Sequence, residues 1–370
     1  MNIPFEPRML PLDNIDWQNL IGLIGEANAA LARYDGLLES IPDAEVLLSP
    51  LLTQEAVLSS KIEGTQATLE EVLEFELDLK ITKAKEADIE EILNYRVALS
   101  LAKDELKKRP CCLNLIKDVH NALLLRVRGK NKGRGKFRLT QNWIGKPNTP
   151  IEQASYIPPP PNRLSDSLSN WEHYYHYDEK DKLVQLAIIH AQFEIIHPFL
   201  DGNGRIGRIL IPIFLYDKKL LSSPVFYISA YFEMHRDEYY SRLLAISEQN
   251  DWNGWIQYFL RALIKQAKIN MDKVKKINNL YDQMKNMITS TTHSRFSIQT
   301  LDFLFHRPIF TSSIFISESK IGRPSASRIL KSLAKADVIY LASPSKGRNP
   351  GLYVFTNLLK IIQSDGDENK

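Results

Sequence analysis

Cysteine is nearly absent from this chain: the 370 residues include two, Cys111 and Cys112, and they are adjacent. Neighbouring cysteines cannot staple distant segments, so a disulfide framework is excluded and a reducing, cytoplasmic setting is expected. Long apolar runs are missing as well, none approaching the roughly 20 residues of a membrane span. No charged-then-apolar leader opens the chain, so a soluble protein with no membrane partner is expected. Excess charge is small, with 47 Lys and Arg against 44 Asp and Glu, a net of +3. No global field therefore commits the chain to a polyanion. Two common signatures are also missing. There is no Gly-x-x-x-x-Gly-Lys-Ser/Thr, which excludes a P-loop, and no His-Glu-x-x-His, which excludes that zinc-hydrolase pattern.

What the chain does have is concentrated in twelve residues, His197-Pro198-Phe199-Leu200-Asp201-Gly202-Asn203-Gly204-Arg205-Ile206-Gly207-Arg208. A possible base, a carboxylate, three glycines, an amide and two guanidiniums suit a polyphosphate and its metal better than a core. Before this stretch, Leu183, Leu186, Ala187, His190 and Phe193/Glu194 fall on one helical stripe, and the residues after it are again apolar. The reading is helix, loop, helix, with Gly-Asn-Gly opening the second helix and its unpaired N–H groups facing an anion. His197, with a near-neutral ordinary pKa, is the candidate general base. Asp201, the only carboxylate of the loop, is the candidate Mg²⁺ ligand, since that ion takes few carboxylates and fills its shell with phosphate oxygens and water. Gly202, Asn203 and Gly204 would form the anion hole. Arg205 and Arg208, three apart, can both face phosphates. Phe199 is expected to anchor the loop, and His190 to be a satisfied core histidine.

The pattern His-Pro-Phe-x-Asp-Gly-Asn-Gly-Arg-x-x-Arg resembles the signature of the Fic family, whose typical activity is transfer of AMP from ATP to a protein hydroxyl. The resemblance implies a mainly α Fic-type core and supports the roles above, with the whole run from Gly202 through Ile206, Gly207 and Arg208 at the nucleotide and Arg208 at the γ-phosphate. Relatives that phosphorylate carry lysine where this chain has Gly204, which favours AMP transfer. Upstream, Ser59-Ser60-Lys61-Ile62-Glu63-Gly64 fits the family's inhibitory motif, Ser/Thr-x-x-x-Glu-Gly/Asn. Ser59 and Glu63 lie one turn apart on a helix. The resemblance implies that Glu63 pairs with Arg208 and removes the cation that seats the γ-phosphate. Residues 137–161 resemble the family's flap, a short β-hairpin to which a target segment adds by main-chain pairing. In Arg236-Asp237-Glu238-Tyr239-Tyr240, Tyr239 stands where relatives hold adenine, and Tyr240 is read as packing.

Along the chain, helices are expected over about 16–40, 50–63, 87–107 and 113–127, with a capping box Thr68-x-x-Glu71 opening another that reaches about Leu79. Prolines break the pattern over 137–162, and helices then resume to about Lys276. Residues 294–358 read as three helical stretches (298–306, 310–318, 323–336) and two strands (338–341, 352–355), which is similar to a winged helix. The resulting partition is an N-terminal region 1–110 with the inhibitory motif, a catalytic core 111–276, a linker or helix end 277–293, the winged-helix-like domain 294–358 and a tail 359–370, whose acidic end is expected to be disordered. The basic stretch 126–138 reads as a solvated loop. Lys320, Arg323, Arg328, Lys331, Lys335, Lys346 and Arg348 suit DNA phosphates or a protein-docking surface equally.

The expected function is a Mg²⁺-dependent, self-inhibited protein adenylyltransferase using ATP on Ser, Thr or Tyr hydroxyls, itself included, and forming a homo-oligomer. The alternatives are a DNA-binding regulator that senses ATP, and a hydrolase that removes AMP with Glu63 orienting water.

Overall fold

The computed structural model describes residues 3–41, 47–77, 82–125, 133–145, 149–346 and 350–364. Several expectations fall outside them: the helix ends near Leu79 and Val127, Pro147, Arg348, residues 126–132 of the basic stretch and the acidic tail 365–370.

In chain order the helices are α1 (Trp17–Glu39), α2 (Ser49–Ile62), α3 (Leu69–Phe75), α4 (Lys83–Leu106), α5 (Leu113–Leu123), α6 (Leu164–Tyr175), α7 (Lys182–Ile196), α8 (Asn203–Asp217), α9 (Ser229–Met234), α10 (Arg236–Gln249) and α11 (Trp252–Thr292). Then come α12 (Ser297–His306), β1 (Ile309–Thr311), α13 (Ser312–Glu318), α14 (Arg323–Lys335), β2 (Tyr340–Ser343), β3 (Leu352–Val354) and α15 (Thr356–Gln363). The mainly α expectation holds. The capping box is present in both directions, Thr68 N to Glu71 Oε2 at 3.0 Å and Glu71 N to Thr68 Oγ1 at 3.3 Å.

The chain divides into two compact units that interleave along the sequence, unlike the sequential partition expected. One takes Met1–Asp35, Leu58–Thr65 and Glu90–Lys268; the other takes Gly36–Val57, Gln66–Ile89 and Ile269–Lys370.

The axis of the first unit is α7. Asp181 caps it, Oδ1 accepting from Leu183 N and Val184 N at 2.9 Å each. Every residue from Leu183 to Ile196 is buried, not the single stripe expected. The reason is that helices surround it: the Trp171 indole of α6 donates to Ile189 O at 2.9 Å and the Trp255 indole of α11 to Ala187 O at 2.8 Å. Buried indoles need an acceptor, and here mid-helix carbonyls supply one. His190 is the core histidine expected; its Nδ1–H donates to Gly207 O at 2.9 Å and its Nε2 accepts from Tyr239 Oη at 3.0 Å.

In the second unit a three-stranded antiparallel sheet has the order β1-β3-β2, pairing Ile309 with Val354 and Tyr340 with Val354. Strand β1 was read as the start of a helix; Thr311 instead ends the strand and caps α13, its Oγ1 accepting from Ile314 N at 3.3 Å. Val338 and Ile339, expected in a strand, are buried where the chain leaves α14, and β2 starts at Tyr340. Of the two readings of 277–293, linker or helix end, the structure has the helix end, since α11 runs unbroken for 41 residues to Thr292. No glycine or proline falls between Trp255 and Thr292 to stop it. The tail boundary also moves: Leu358, Leu359 and Ile362 bury one face of α15.

Candidate active site

Helix α7 ends at His197, whose backbone is left-handed at φ 48° and ψ 59°. Such a conformation costs a non-glycine residue roughly 1 kcal/mol and needs support from its surroundings. Arg138 and Asn142 provide it. Arg138 Nε and Asn142 Nδ2 donate to His197 O at 3.0 and 3.2 Å, Asn142 Nδ2 also to Phe199 O at 2.9 Å, and Arg138 N to Pro198 O at 2.9 Å. The buried Arg138 guanidinium reaches Pro159 O at 2.5 Å as well. Both residues come from the segment expected to be a flap. Among the described residues that segment's hairpin shrinks to one bridge, Ile144 with Tyr156, closed by bonds of 2.8 and 3.1 Å.

The half-buried His197 ring donates Nδ1–H to Glu194 O at 3.2 Å. A carbonyl can only accept, so Nε2 carries the lone pair. Burial lowers the imidazole pKa to about 4, against the opposing pulls of the Glu194 carbonyl and the Glu63 charge. At neutral pH the ring is an unprotonated base. Protonation would disable it, so a lowered pKa moves the loss of activity to lower pH. The acid limb of kcat/KM for ATP, which reports the nucleotide-free enzyme, is therefore expected near pH 4, not 6.5. A kcat/KM profile with its midpoint at 6.5 would contradict this environment for the ring.

The loop is folded by its own side chains. Asn203 closes it reciprocally, Oδ1 accepting from Phe199 N and Nδ2 donating to Phe199 O, both at 2.8 Å. Its amide therefore shapes the loop, and any anion contact falls to backbone N–H groups. Phe199 is the anchor expected, buried and stacked on His120 with centroids 3.7 Å apart at 8°. His120 is a residue that sequence reading missed. Its Nδ1 accepts from Gly135 N at 2.9 Å, which leaves Nε2–H to donate to Asp201 O at 3.0 Å. Burial holds its pKa down at about 4, so this bridge keeps its tautomer at neutral pH. The available signal was a histidine inside the apolar stripe of α5, beside Ile116, Val119 and Leu123.

Gly202, at φ 79°, turns the chain into α8, which opens at Asn203 as expected. The first N–H groups of such a helix have no intrahelical acceptor. Asp201 lies partly exposed at that end, Oδ1 3.4 Å from Arg205 Nη2. Arg205 is buried and pairs at 2.7 Å with Glu91 of α4, a second residue missed from sequence. Ile206 is fully buried, and its N–H goes to Gly202 O at 3.0 Å. Gly207 serves close packing, since a Cβ there would fall on Glu194 Oε1. Ile206 and Gly207, expected at the nucleotide, both pack in the core. Glu194 itself is buried, with its pKa pushed up to about 8, and stays a neutral acid.

Arg208 is 1% exposed, and its donors are engaged by the upstream motif. Nε donates to Ser59 Oγ at 2.8 Å, and Nη2 to Ser59 O at 2.9 Å and Glu63 Oε1 at 2.6 Å. Burial alone would raise the Glu63 pKa; the charges of Arg208, Arg205 and His197 and the Arg208 bond outweigh it and hold it below the usual range. Gly64, at φ 102°, makes the turn after α2, and a Cβ at Gly204 would fall on Glu63 Oε1. The two distant motifs therefore meet as expected. The two tyrosines differ in exposure. Tyr239 is 1% exposed, packed on Phe232 with its hydroxyl on His190, whereas Tyr240 is 43% exposed and close enough to Glu63 and Arg208 to feel both charges.

For a metal, Asp201 at the mouth of the α8 N-terminus suits an ion that takes one carboxylate and completes its shell from phosphate and water. Among the described residues no group of three or more His, Cys, Asp or Glu is arranged to hold one alone. No helix among them is long and apolar enough to cross a membrane.

Comparison with known proteins finds Fic proteins. A model described as Fic/DOC family N-terminal matches residues 21–104, and one described as Fic/DOC family matches 110–215. The protein adenylyltransferase Fic of Drosophila grimshawi is 29% identical over 213 residues, covering 56% of this chain and 38% of that protein. A probable protein adenylyltransferase of Aquifex aeolicus is 39% identical over 70 residues, 19% of this chain and 22% of that one. The chain thus spans well under half the length of these relatives. The crystal structure of a Fic family protein from Desulfovibrio desulfuricans superposes with a TM-score of 0.60 at 19% identity, covering 95% of this chain and 98% of that one. Fic-1 of C. elegans, residues 134–508, gives 0.52 at 17%, covering 72% and 75%.

Proposed function

Because the chain belongs to the Fic/DOC family, we propose that it is a Mg²⁺-dependent protein adenylyltransferase. It moves AMP from ATP to a Ser, Thr or Tyr hydroxyl of a protein, itself included, and is restrained by Glu63. The observation that carries this is the unprotonated His197 Nε2 beside a helix N-terminus, on a loop held by Asn203, His120, Arg138 and Asn142.

In this reading the hydroxyl gives its proton to His197 Nε2 as its oxygen attacks the α-phosphorus. The bond from that phosphorus to the bridging oxygen breaks, and pyrophosphate leaves. The α8 N-terminus stabilises charge on the phosphates, and their negative charge pulls the His197 pKa back up toward neutrality. Mg²⁺, held by Asp201, would neutralise charge on the phosphates. Arg208 seats the γ-phosphate once Glu63 leaves it, and Tyr240, the exposed tyrosine, takes the adenine-side position. The test is incubation with labelled ATP and cell lysate, then mass spectrometry of hydroxyls carrying AMP; no labelled protein would sink the reading.

Asp201→Asn keeps the shape of the loop and removes the charge. It is expected to lower transfer and move the Mg²⁺ titration to higher metal; an unchanged titration would remove Asp201 as the ligand.

Hydrolytic removal of AMP is the second reading, favoured by the fact that Glu63 is ionised and about one-third exposed, as a water-orienting base would be. Release of AMP from a modified protein separates the two directions. For the C-terminal unit the proposal is a winged-helix-like role with DNA or a protein as partner, supported by exposed Arg328, Lys331 and Lys335 on α14 opposite its buried Ile329 and Leu333. A cytoplasmic homo-oligomer belongs to the same proposal.

A further inference from the structure

The Glu63–Arg208 pair explains what Glu63 does, but not why Glu63 stays where it is. Its helix ends at Ile62, and last-turn carbonyls of a helix are left without intrahelical donors. Around Glu63 the chain is folded into a tight turn, with Glu63 N and Thr65 N both donating to Ser60 O at 3.0 and 3.2 Å and Gly64 N to Lys61 O at 3.0 Å. Lys61 O takes a second donor from far along the chain: Arg236 Nη2, from the first turn of α10, at 2.6 Å. A cation there also complements the negative end of the α2 dipole. Arg236 is itself aimed by Glu233, whose Oε2 accepts from Nε at 3.0 Å and Nη2 at 2.6 Å. Glu233 Oε1 lies 3.4 Å from Lys61 Nζ, so one Arg–Glu pair grips Lys61 at both its carbonyl and its ammonium.

We infer that Arg236, aimed by Glu233, is a positioning residue that latches the end of α2 and so holds Glu63 on Arg208. Lys61 is two residues from Glu63 inside a turn closed by three backbone bonds, so a shift at Lys61 O moves the carboxylate with it. The inference rests on the proposed restraint by Glu63. Arg236 is 38% exposed and its bonds are partly screened. Its loss should therefore relieve the restraint only in part, by roughly three- to tenfold, the range of a charge-assisted bond discounted for exposure.

The experiment measures self-modification from labelled ATP, using the full chain, in wild type, Arg236→Ala, Arg236→Lys, Glu233→Gln, Glu63→Gly and Glu63→Gly with Arg236→Ala. Expected are a gain for Arg236→Ala and Glu233→Gln, a smaller gain for Arg236→Lys, and no further gain from Arg236→Ala once Glu63 is glycine. That last term separates a latch from a general loosening of the fold, which would act in both backgrounds. If Glu63→Gly activates and Arg236→Ala and Glu233→Gln do not, the latch is wrong and the restraint stands. If Arg236→Ala lowers activity in both backgrounds, Arg236 belongs to nucleotide binding and the latch is again wrong. If Glu63→Gly brings no gain, the restraint itself fails and takes the latch with it.

Discussion

Replacing His197 with alanine is expected to lower AMP transfer by roughly 10²- to 10⁴-fold, the loss typical of a general base. Binding of ATP should be largely kept, because the loop is shaped by Asn203 on Phe199 and by His120 on Asp201, neither of which involves the imidazole. The left-handed backbone at this position needs a control, since alanine tolerates it poorly. His197→Asn provides one, asparagine being among the residues enriched there. Both variants should bind nucleotide, measured by calorimetry, and neither should transfer AMP at more than a small fraction of the wild-type rate. Near-normal turnover by either would take His197 out of the mechanism.

Glu63→Gly should act in the opposite direction, raising self-modification by on the order of 10- to 100-fold. That is the gain from freeing a site competent in only about 1–10% of molecules. The substitution adds no catalytic group; it releases Arg208, whose Nη2 the carboxylate holds at 2.6 Å. Truncating one side of a buried pair leaves the other charge unpaired. Here the γ-phosphate can replace the carboxylate, so Mg·ATP should stabilise this variant more than wild type in a thermal unfolding assay. Adding Arg208→Ala should abolish the gain, since the freed cation is its cause. Glu63→Gln, which keeps an acceptor without the charge, should fall between. A Glu63→Gly protein no more active than wild type would leave Glu63 as a hydrolytic or a merely structural residue.

The loop was legible in sequence because its chemistry is contiguous. Twelve neighbouring residues carry base, carboxylate and glycines, and the switch from apolar helix to glycine and back marks its ends. The Glu63–Arg208 pairing, 145 residues apart, was reached only through the family resemblance. The supports were not legible. Arg138, Asn142, His120 and Glu91 act on the loop from 55 to 114 residues away, and nothing local marks a side chain that will bond a distant carbonyl or guanidinium. Which of Tyr239 and Tyr240 is buried was not legible, because adjacent helical residues differ only by a rotation, which the neighbouring Phe232 and His190 decide. Strand β1 was lost because its three residues after Pro308, the last of them the cap of α13, carry too little alternation to declare themselves. The continuation of α11 past Lys276 is open to reading in the sequence, since no glycine or proline interrupts it and Ile277, Leu280, Met284 and Ile288, all buried, recur at helical spacing.

Both members of the Glu63–Arg208 pair belong to one chain, so under the proposed restraint the carboxylate is an internal competitor with a fixed effective concentration. Effective concentrations of tethered groups reach the millimolar range for short links. They do not dilute when the protein is scarce or rise when it is abundant. A γ-phosphate must therefore outcompete a ligand that is always present at the same strength in every molecule. The proposed restraint would therefore scale with the nucleotide supply and with whatever moves residues 58–65, and not with expression level.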